Sequence, residues 1–345
     1  GSLALRAYDF GYGLPAPEAA EAITLEGRRM EVATRADIAL PLPVLPTLRA
    51  DITLQDYAHD ELEPDGELAQ RFALRAGAVN VLVRQAARGA LAEGALGVSL
   101  LVKHYSATGP DALTPPALSR AVGAFAFQEA ALGSRGAALQ FGVRADRYAI
   151  ESRDDARFGD GVARTFDAVS GSAGVRVPLA ASLTAALTAA RSFRAPTVEE
   201  LFSAAPHAGT GSVEFGDAGL RAERGRSLEL VLNHVSSRIS GQAAAWINRV
   251  DHHVHLDFVR DTVIGEATLP VYVYAQAPAT LRGAEVAVEV ALTRTVAAAL
   301  RGDVLHAQQQ DGTPLSFMPP ASLGFSLRRD DGRWSIGGDV HHDFA

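Results

Sequence analysis

The chain has 345 residues, 48% of them hydrophobic and 21% charged, with a formal net charge of −8 and no cysteine. Zero cysteines exclude a disulfide framework, thiolate metal sites and a cysteine nucleophile, and a negative balance without a basic stripe argues against a nucleic-acid partner. No run of about 18 apolar residues occurs, so no transmembrane helix is expected, and the opening GSLALRAYDF reads as strand rather than as a signal peptide.

Two-residue alternation recurs along nearly the whole chain, and that period means strand. After the first strand, Gly11–Thr24 reads as a loop with room for a helical turn at Glu18–Ile23. Arg49, Asp51, Thr53, Gln55, Tyr57 and His59 then share one face, against Leu48, Ala50, Ile52 and Leu54 on the other. Gln140, Arg144 and Asp146 oppose Leu139, Phe141, Val143 and Ala145. Leu183, Ala185 and Leu187 oppose Ser182, Thr184 and Thr188, and a long loop follows with a second helical turn at Val198–Ala204. Glu285 and Glu289 oppose Ala284, Val286, Val288 and Val290. Arg301 and Asp303 oppose Leu300, Gly302 and Val304, while Ser322, Ser326 and Arg328 oppose Leu323, Phe325 and Leu327. In all about fifteen such segments occur, many of ten residues or more. Globular strands run about five or six residues, whereas a tilted membrane strand needs about nine to eleven.

The connections alternate as well. Short ones fall near Pro41–Pro46, Ala86–Glu93, Gly133–Gly136, Pro178–Ser182, Ser236–Ser240, Leu292–Thr295 and Asp330–Arg333. Longer ones fall near Gly11–Thr24, Asp60–Leu68, Ala107–Ser119, Arg153–Ala163, Ala195–Glu223, Val259–Pro270 and Gln309–Pro320. Short and long connections in strict turns are the rhythm of an outer-membrane up-and-down barrel. The charged face fits either a surface facing solvent or the wet lumen of a wide barrel, where opposite charges pair and stay hydrated, and strand length with loop rhythm favours the barrel; a dry sandwich interior would not take them unpaired. Aromatics are only 7%, thin for interfacial girdles, and the outward face is often alanine. The expected fold is therefore all-β: one antiparallel up-and-down transmembrane β-barrel domain over residues 1–345.

The loop wording F-R-A-P-T-V-E-E-L-F at Phe193–Phe202, Pro206-His207, and the G-D-A-G-L-R-A-E close at Gly216–Glu223 resemble the barrel of TonB-dependent outer-membrane receptors, the zinc- and haem-uptake branch above all. Tyr57-Ala58-His59-Asp60-Glu61-Leu62-Glu63 with Gly66-Glu67 is similar to a loop start of that branch. Tyr105–Ala107 leading to Leu113–Pro116, the strand Phe125–Leu132, and Arg282-Gly283-Ala284-Glu285 extend the likeness, in order, over most of the chain. The resemblance implies a barrel of about twenty-two strands around an N-terminal plug, in the outer membrane of a Gram-negative bacterium. Cargo binds outer loops and plug, and a plug segment contacts the TonB protein. Residues 1–345 show no plug sequence and stop short of the family's last strands, so they read as an internal piece of such a receptor.

On that reading the chain takes up a metal, zinc first, or a metal chelate or haem; no resident cofactor is required. The partners implied are outer-membrane lipid, TonB through a plug, and a small-molecule or metal cargo. Candidate cargo-binding residues are Tyr57, His59, Glu61, Glu63, His207 and Glu214. Imidazole and carboxylate suit zinc without a thiolate. His59 and Glu61, at i and i+2, share a strand face, and His207 with Glu214 and Asp217 lies in the long loop; the other reading of both is solvated loop residues. His252, His253 and His255 form the densest cluster, with His253 and His255 expected on one face beside Asp251 and Asp257, as metal ligands or as a packed strand rim. Tyr57, Tyr105 or any exposed loop histidine would serve as a haem ligand, and His104 is equally a packing residue. Asp154, Asp155 and Asp160 read as a hydrophilic loop.

No G-x-S-x-G, H-E-x-x-H or P-loop occurs, so an enzyme is not expected. A non-transporting surface barrel, such as an adhesin or a phage-binding protein, shares the loop rhythm and needs no plug. An outer-membrane lipase is a third class, since several Ser and His residues occur, and a hydrolysis assay without turnover would exclude it.

Overall fold

The computed structural model describes residues 1–14, 23–207, 210–265 and 267–344. Its strands are β1 (Ser2–Gly13), β2 (Thr24–Ala39), β3 (Thr47–Leu62), β4 (Leu68–Gln85), β5 (Leu91–Thr108), β6 (Ala117–Leu132), β7 (Ala137–Ser152), β8 (Ala163–Ala180) and β9 (Leu183–Arg194). A helix α1 (Val198–Phe202) and the short β10 (Ala204–His207) and β11 (Ser212–Phe215) come next. The chain continues with β12 (Glu223–Val235), β13 (Ile239–Ile264), β14 (Ala267–Ala291), β15 (Val296–Gln309), β16 (Ser322–Asp330) and β17 (Ser335–Asp343). The helical turn expected at Glu18–Ile23 lies, apart from Ile23, outside the described residues.

Fifteen strands form an antiparallel meander in chain order, with β9 pairing directly to β12. Among the described residues no ladder joins β1 to β17, and the sheet is not closed. The remaining two strands, β10 and β11, form a hairpin inside the β9–β12 loop, and β11 lies parallel to β14 at Val213↔Val271.

Exposure along the wall is inverted relative to a soluble protein. On β7, Phe141, Val143 and Ala145 are exposed, while Gln140, Arg144 and Asp146 on the opposite face are less so. On β5, Leu96, Val98, Leu100 and Val102 alternate outward. The inner face carries cross-strand ion pairs: Arg6–Glu31 at 2.5 Å, Arg35–Asp51 at 2.5 Å and Arg49–Asp37 at 2.7 Å. Arg144 donates through Nε to both carboxylate oxygens of Asp146 and through Nη2 to Ser99. Apolar side chains that water would disfavour face outward, and paired charges face inward. That is the pattern of a wall between lipid and a wet lumen.

Two expectations need correction. Val259–Pro270 is not a long loop: β13 and β14 stay paired out to Ile264↔Ala267, so a hairpin projects beyond the neighbouring strands. The β-branched Val259, Thr262, Val263, Ile264 and Thr268 favour extended backbone, and Gly265, at φ +61°, supplies the left-handed turn residue. Asp251 does not share a face with His253, His255 and Asp257. A bulge between Val250 and His253, with His252 at φ +59°, inserts an extra residue. Asp251 is thereby left on the outer face, paired to Arg226 at 2.6 Å.

The dry core sits where the β9–β12 loop folds inward. Val198, Leu201 and Phe202 of α1, with Leu220, pack on Ala117, Ile150 and Val254 of the wall. Full burial of side chains such as Leu201, Leu220 and Ile150 contributes about 1.5–3 kcal/mol each.

Candidate functional site

Segment 193–223 builds its own scaffold. Thr197 caps α1 by accepting from the Glu200 amide at 3.2 Å, and Glu200 accepts the Thr197 amide at 2.8 Å, a complete capping box. Arg194 at the end of β9 forks onto both oxygens of Glu223 at the start of β12, at 2.8 and 2.7 Å, and reaches Glu200 at 2.8 Å. One guanidinium thus ties the two ends of the loop to its helix. Gly216 lies where an added Cβ would meet Phe202 N at 2.5 Å and Leu201 C at 2.6 Å. Asp217 then turns the chain by accepting from Gly219 N, and the Leu220 carbonyl accepts from Arg164 on β8.

This scaffold holds the β10–β11 hairpin against the inner wall. Glu214 is buried and accepts from four groups: His207 Nδ1 at 3.0 Å, Thr210 at 2.8 Å, Ser212 at 3.2 Å and Tyr274 of β14 at 3.0 Å. Burial pushes its carboxyl up, but the donors outweigh that and hold it at about 2. Burial also disfavours the charged His207, and here the Glu214 carboxylate wins, raising the imidazole above 6.5. With Nδ1 engaged by Glu214, His207 presents Nε2 as its remaining ring nitrogen.

His207 and His59 line one cavity of about 600 Å³ between the loop and the inner faces of β3 to β7. Tyr57, Phe72, Lys103, Tyr105, Tyr148 and the loop residues Pro196 to Glu199 complete much of its lining. His59 stacks on Phe72, with ring centroids 4.8 Å apart, and lies against Tyr57 at 5.5 Å. Rings continue along the wall from Phe72 to Tyr105 and from Tyr57 to Phe10 and Tyr12. Glu61 sits beside His59, with Oε1 3.7 Å from Nε2. His59 Nδ1 and Glu61 Oε2 are buried without a hydrogen-bond partner.

The expected residues therefore divide. Tyr57, His59 and His207 face one cavity; Glu61 and Glu214 stand beside the two imidazoles; Glu63 lies in the turn after β3, its amide donating to the Glu67 carbonyl. His253 and His255 stack with centroids 6.5 Å apart, but His253 pairs with Glu223 at 3.3 Å and His255 with Asp257 at 3.0 Å. His104 falls on the outer face. Among the described residues no three His, Asp or Glu side chains gather into a ready metal shell. Phe72, Tyr148 and Tyr274 escaped sequence reasoning. Parity signals the first two: Phe72 pairs with His59, and Tyr148 stands in phase with Arg144 and Asp146 near the loop end. Tyr274 shares the phase of outward Ala284, and only the β11–β14 contact brings it to the site.

A family model described as "TonB dependent receptor-like, beta-barrel" matches residues 66–344. A search of curated protein sequences finds no match. Among solved structures, the copper transporter OprC superposes with a TM-score of 0.77 at 17% identity, over 98% of this chain and 58% of that one. The hemophore receptor HasR of Serratia marcescens, in complex with its hemophore HasA and heme, gives 0.71 at 14% identity, over 98% and 63%. The alcaligin outer-membrane receptor FauA of Bordetella pertussis gives 0.68 at 13%, over 98% and 56%. The chain thus spans less than two thirds of the length of these structures.

Proposed function

The chain belongs to the TonB-dependent receptor β-barrel family, and from that premise we propose that residues 1–345 form one barrel domain whose outer mouth captures a metal complex for uptake across a bacterial outer membrane. The observation that carries this reading is the shared cavity of His59 and His207, floored by aromatic rings and roofed by the loop. Rings and imidazoles facing across about 600 Å³ suit a chelate or a haem-sized planar complex better than a bare ion. A bare zinc ion would want three or four protein ligands at one point. The copper transporter and the hemophore receptor with its heme, among the similar structures, support a metal-bearing cargo. On this reading the TonB contact is made by a plug segment rather than by the wall.

The test is a titration of the protein with zinc, a copper salt, haem and a ferric chelate, each against His59→Ala and His207→Ala. Each substitution is expected to weaken the preferred complex by about tenfold, which is about 1.4 kcal/mol. Equal affinity in wild type and both variants, for every probe, removes the cavity as the capture site. Preference for free zinc over every complex returns the cargo to the bare ion.

A further inference from the structure

Away from the lumen, the lipid-facing side of β9, β12, β13 and β14 carries an unusual concentration of positive charge. Arg226 stands directly opposite Arg191 on β9 and directly opposite Arg249 on β13. Arg224 lies two residues further toward the loops, and Arg282 on β14 is diagonal to Arg249 through Ile247. All five are exposed. Asp251 is the one carboxylate paired within the group, to Arg226 at 2.6 Å. Arg191, Arg224, Arg249 and Arg282 make no ion pair among the described residues.

The opposite side of the wall is built differently. There three outward arginines are paired to carboxylates, Arg75–Asp56 at 3.0 Å, Arg120–Glu151 at 3.7 Å and Arg147–Asp167 at 3.5 Å, and Arg28 stands opposite Asp9 in register. Like charges directly opposite on neighbouring strands are destabilising, and weaker screening beside a membrane makes the row worse. Its height on the wall indicates what offsets this. Two residues toward the short turns, on the same face, stand Ala189, Leu228 and Ile247, followed by Leu187, Leu230 and Ala245. The arginine row is therefore the first polar tier above the apolar band, on the long-loop side, at the level of lipid headgroups.

We propose that Arg191, Arg226 and Arg249, flanked by Arg224 and Arg282, bind the phosphate group of an anionic lipid packed against the wall. Guanidinium forks match phosphate oxygens in bidentate geometry, and one phosphate seated in the row neutralises the repulsion that the sequence leaves uncompensated. The inference rests on the membrane reading of the wall and adds to it a preference for one headgroup chemistry on one side.

The protein is placed in phosphatidylcholine nanodiscs containing a minority of phosphatidic acid, extracted into neutral detergent, and its retained lipids are counted by native mass spectrometry. Wild type is expected to retain phosphatidic acid over phosphatidylcholine by at least about tenfold, since each arginine near an anionic lipid surface adds a comparable increment. R191Q/R226Q/R249Q loses that preference. R75Q/R147Q, which removes arginines already paired, keeps it. Equal retention in wild type and the triple variant overturns the proposal, as does equal loss in R75Q/R147Q. Displacement of the lipid by millimolar inorganic phosphate makes the row a free-anion site and overturns it too. A protein that stays dissolved without lipid or detergent removes the membrane reading and this inference together; insertion without headgroup preference removes only the inference.

Discussion

The imidazole of His207 serves two requirements that oppose each other in pH. Its pair with Glu214 stabilises the hairpin, and a histidine raised above 6.5 contributes fully below that value and loses the contribution as pH rises through the raised one. Glu214, lowered from 4.5 to about 2, contributes above 4.5 and loses its share as pH falls from there to about 2. Docking of the hairpin is therefore strongest between about pH 4.5 and 6.5, and amide exchange across Ser212–Phe215 is expected to speed up on either side. Coordination of a metal by Nε2 needs the neutral ring, so cargo affinity should climb as pH passes the raised value, later than for a free histidine. Glu214→Gln should move that midpoint downward; a pH titration of affinity with an unmoved midpoint would show the two groups uncoupled. Chain reading reached both histidines and their carboxylate neighbours through strand parity and loop wording. It did not reach the Tyr274–Glu214 bond, because 60 residues separate the partners and only the parallel β11–β14 contact brings them together.

Among the elements, the loop between β9 and β12 packs the larger of the two hydrophobic clusters among the described residues. Its family-like wording has a structural purpose: Arg194, Thr197, Glu200, Gly216 and Glu223 all act to hold the fold of the loop rather than to touch the cavity's far wall. Gly216→Ala forces a methyl against backbone atoms of α1 that cannot yield, and overpacking of this kind costs about 1–3 kcal/mol. Limited proteolysis is expected to cut the 195–222 segment faster in that variant while the strand signal in circular dichroism holds. Unchanged cleavage would mean that the loop takes up the methyl by shifting as a body. The wall strands were legible because one face repeats every second residue for ten residues or more. The projecting β13–β14 hairpin was not, since Gly265 and Pro270 read as loop punctuation, although the pairing continues through Pro270. The bulge at His252 was not legible either. A single inserted residue reverses every later side chain, and nothing in D-H-H-V-H-L-D marks where the insertion falls.

For the whole molecule, the decisive fact is the sign of the relation between polarity and exposure. Large apolar side chains line the exterior in band after band, from Leu3 and Leu5 on β1 to Ile336 and Val340 on β17, while the buried apolar residues gather mainly at the mouth. On β5 the band from Leu96 to Val102 spans about 20 Å along the strand, close to the apolar height of a barrel wall. Above it the outer face turns to His104 on β5, Arg75 on β4 and Asp56 on β3, side by side in register. Two neighbouring leucines separate this account from any soluble one. Leu100 is half exposed on the outer face and Leu101 faces the lumen. In water, Leu100→Arg would be nearly neutral. Facing hydrocarbon near the midplane it should cost about 2–4 kcal/mol, whereas Leu101→Arg keeps its charge in a wet interior and should cost far less. Urea unfolding from lipid vesicles measures both, and the opposite order of the two costs would turn the wall inside out.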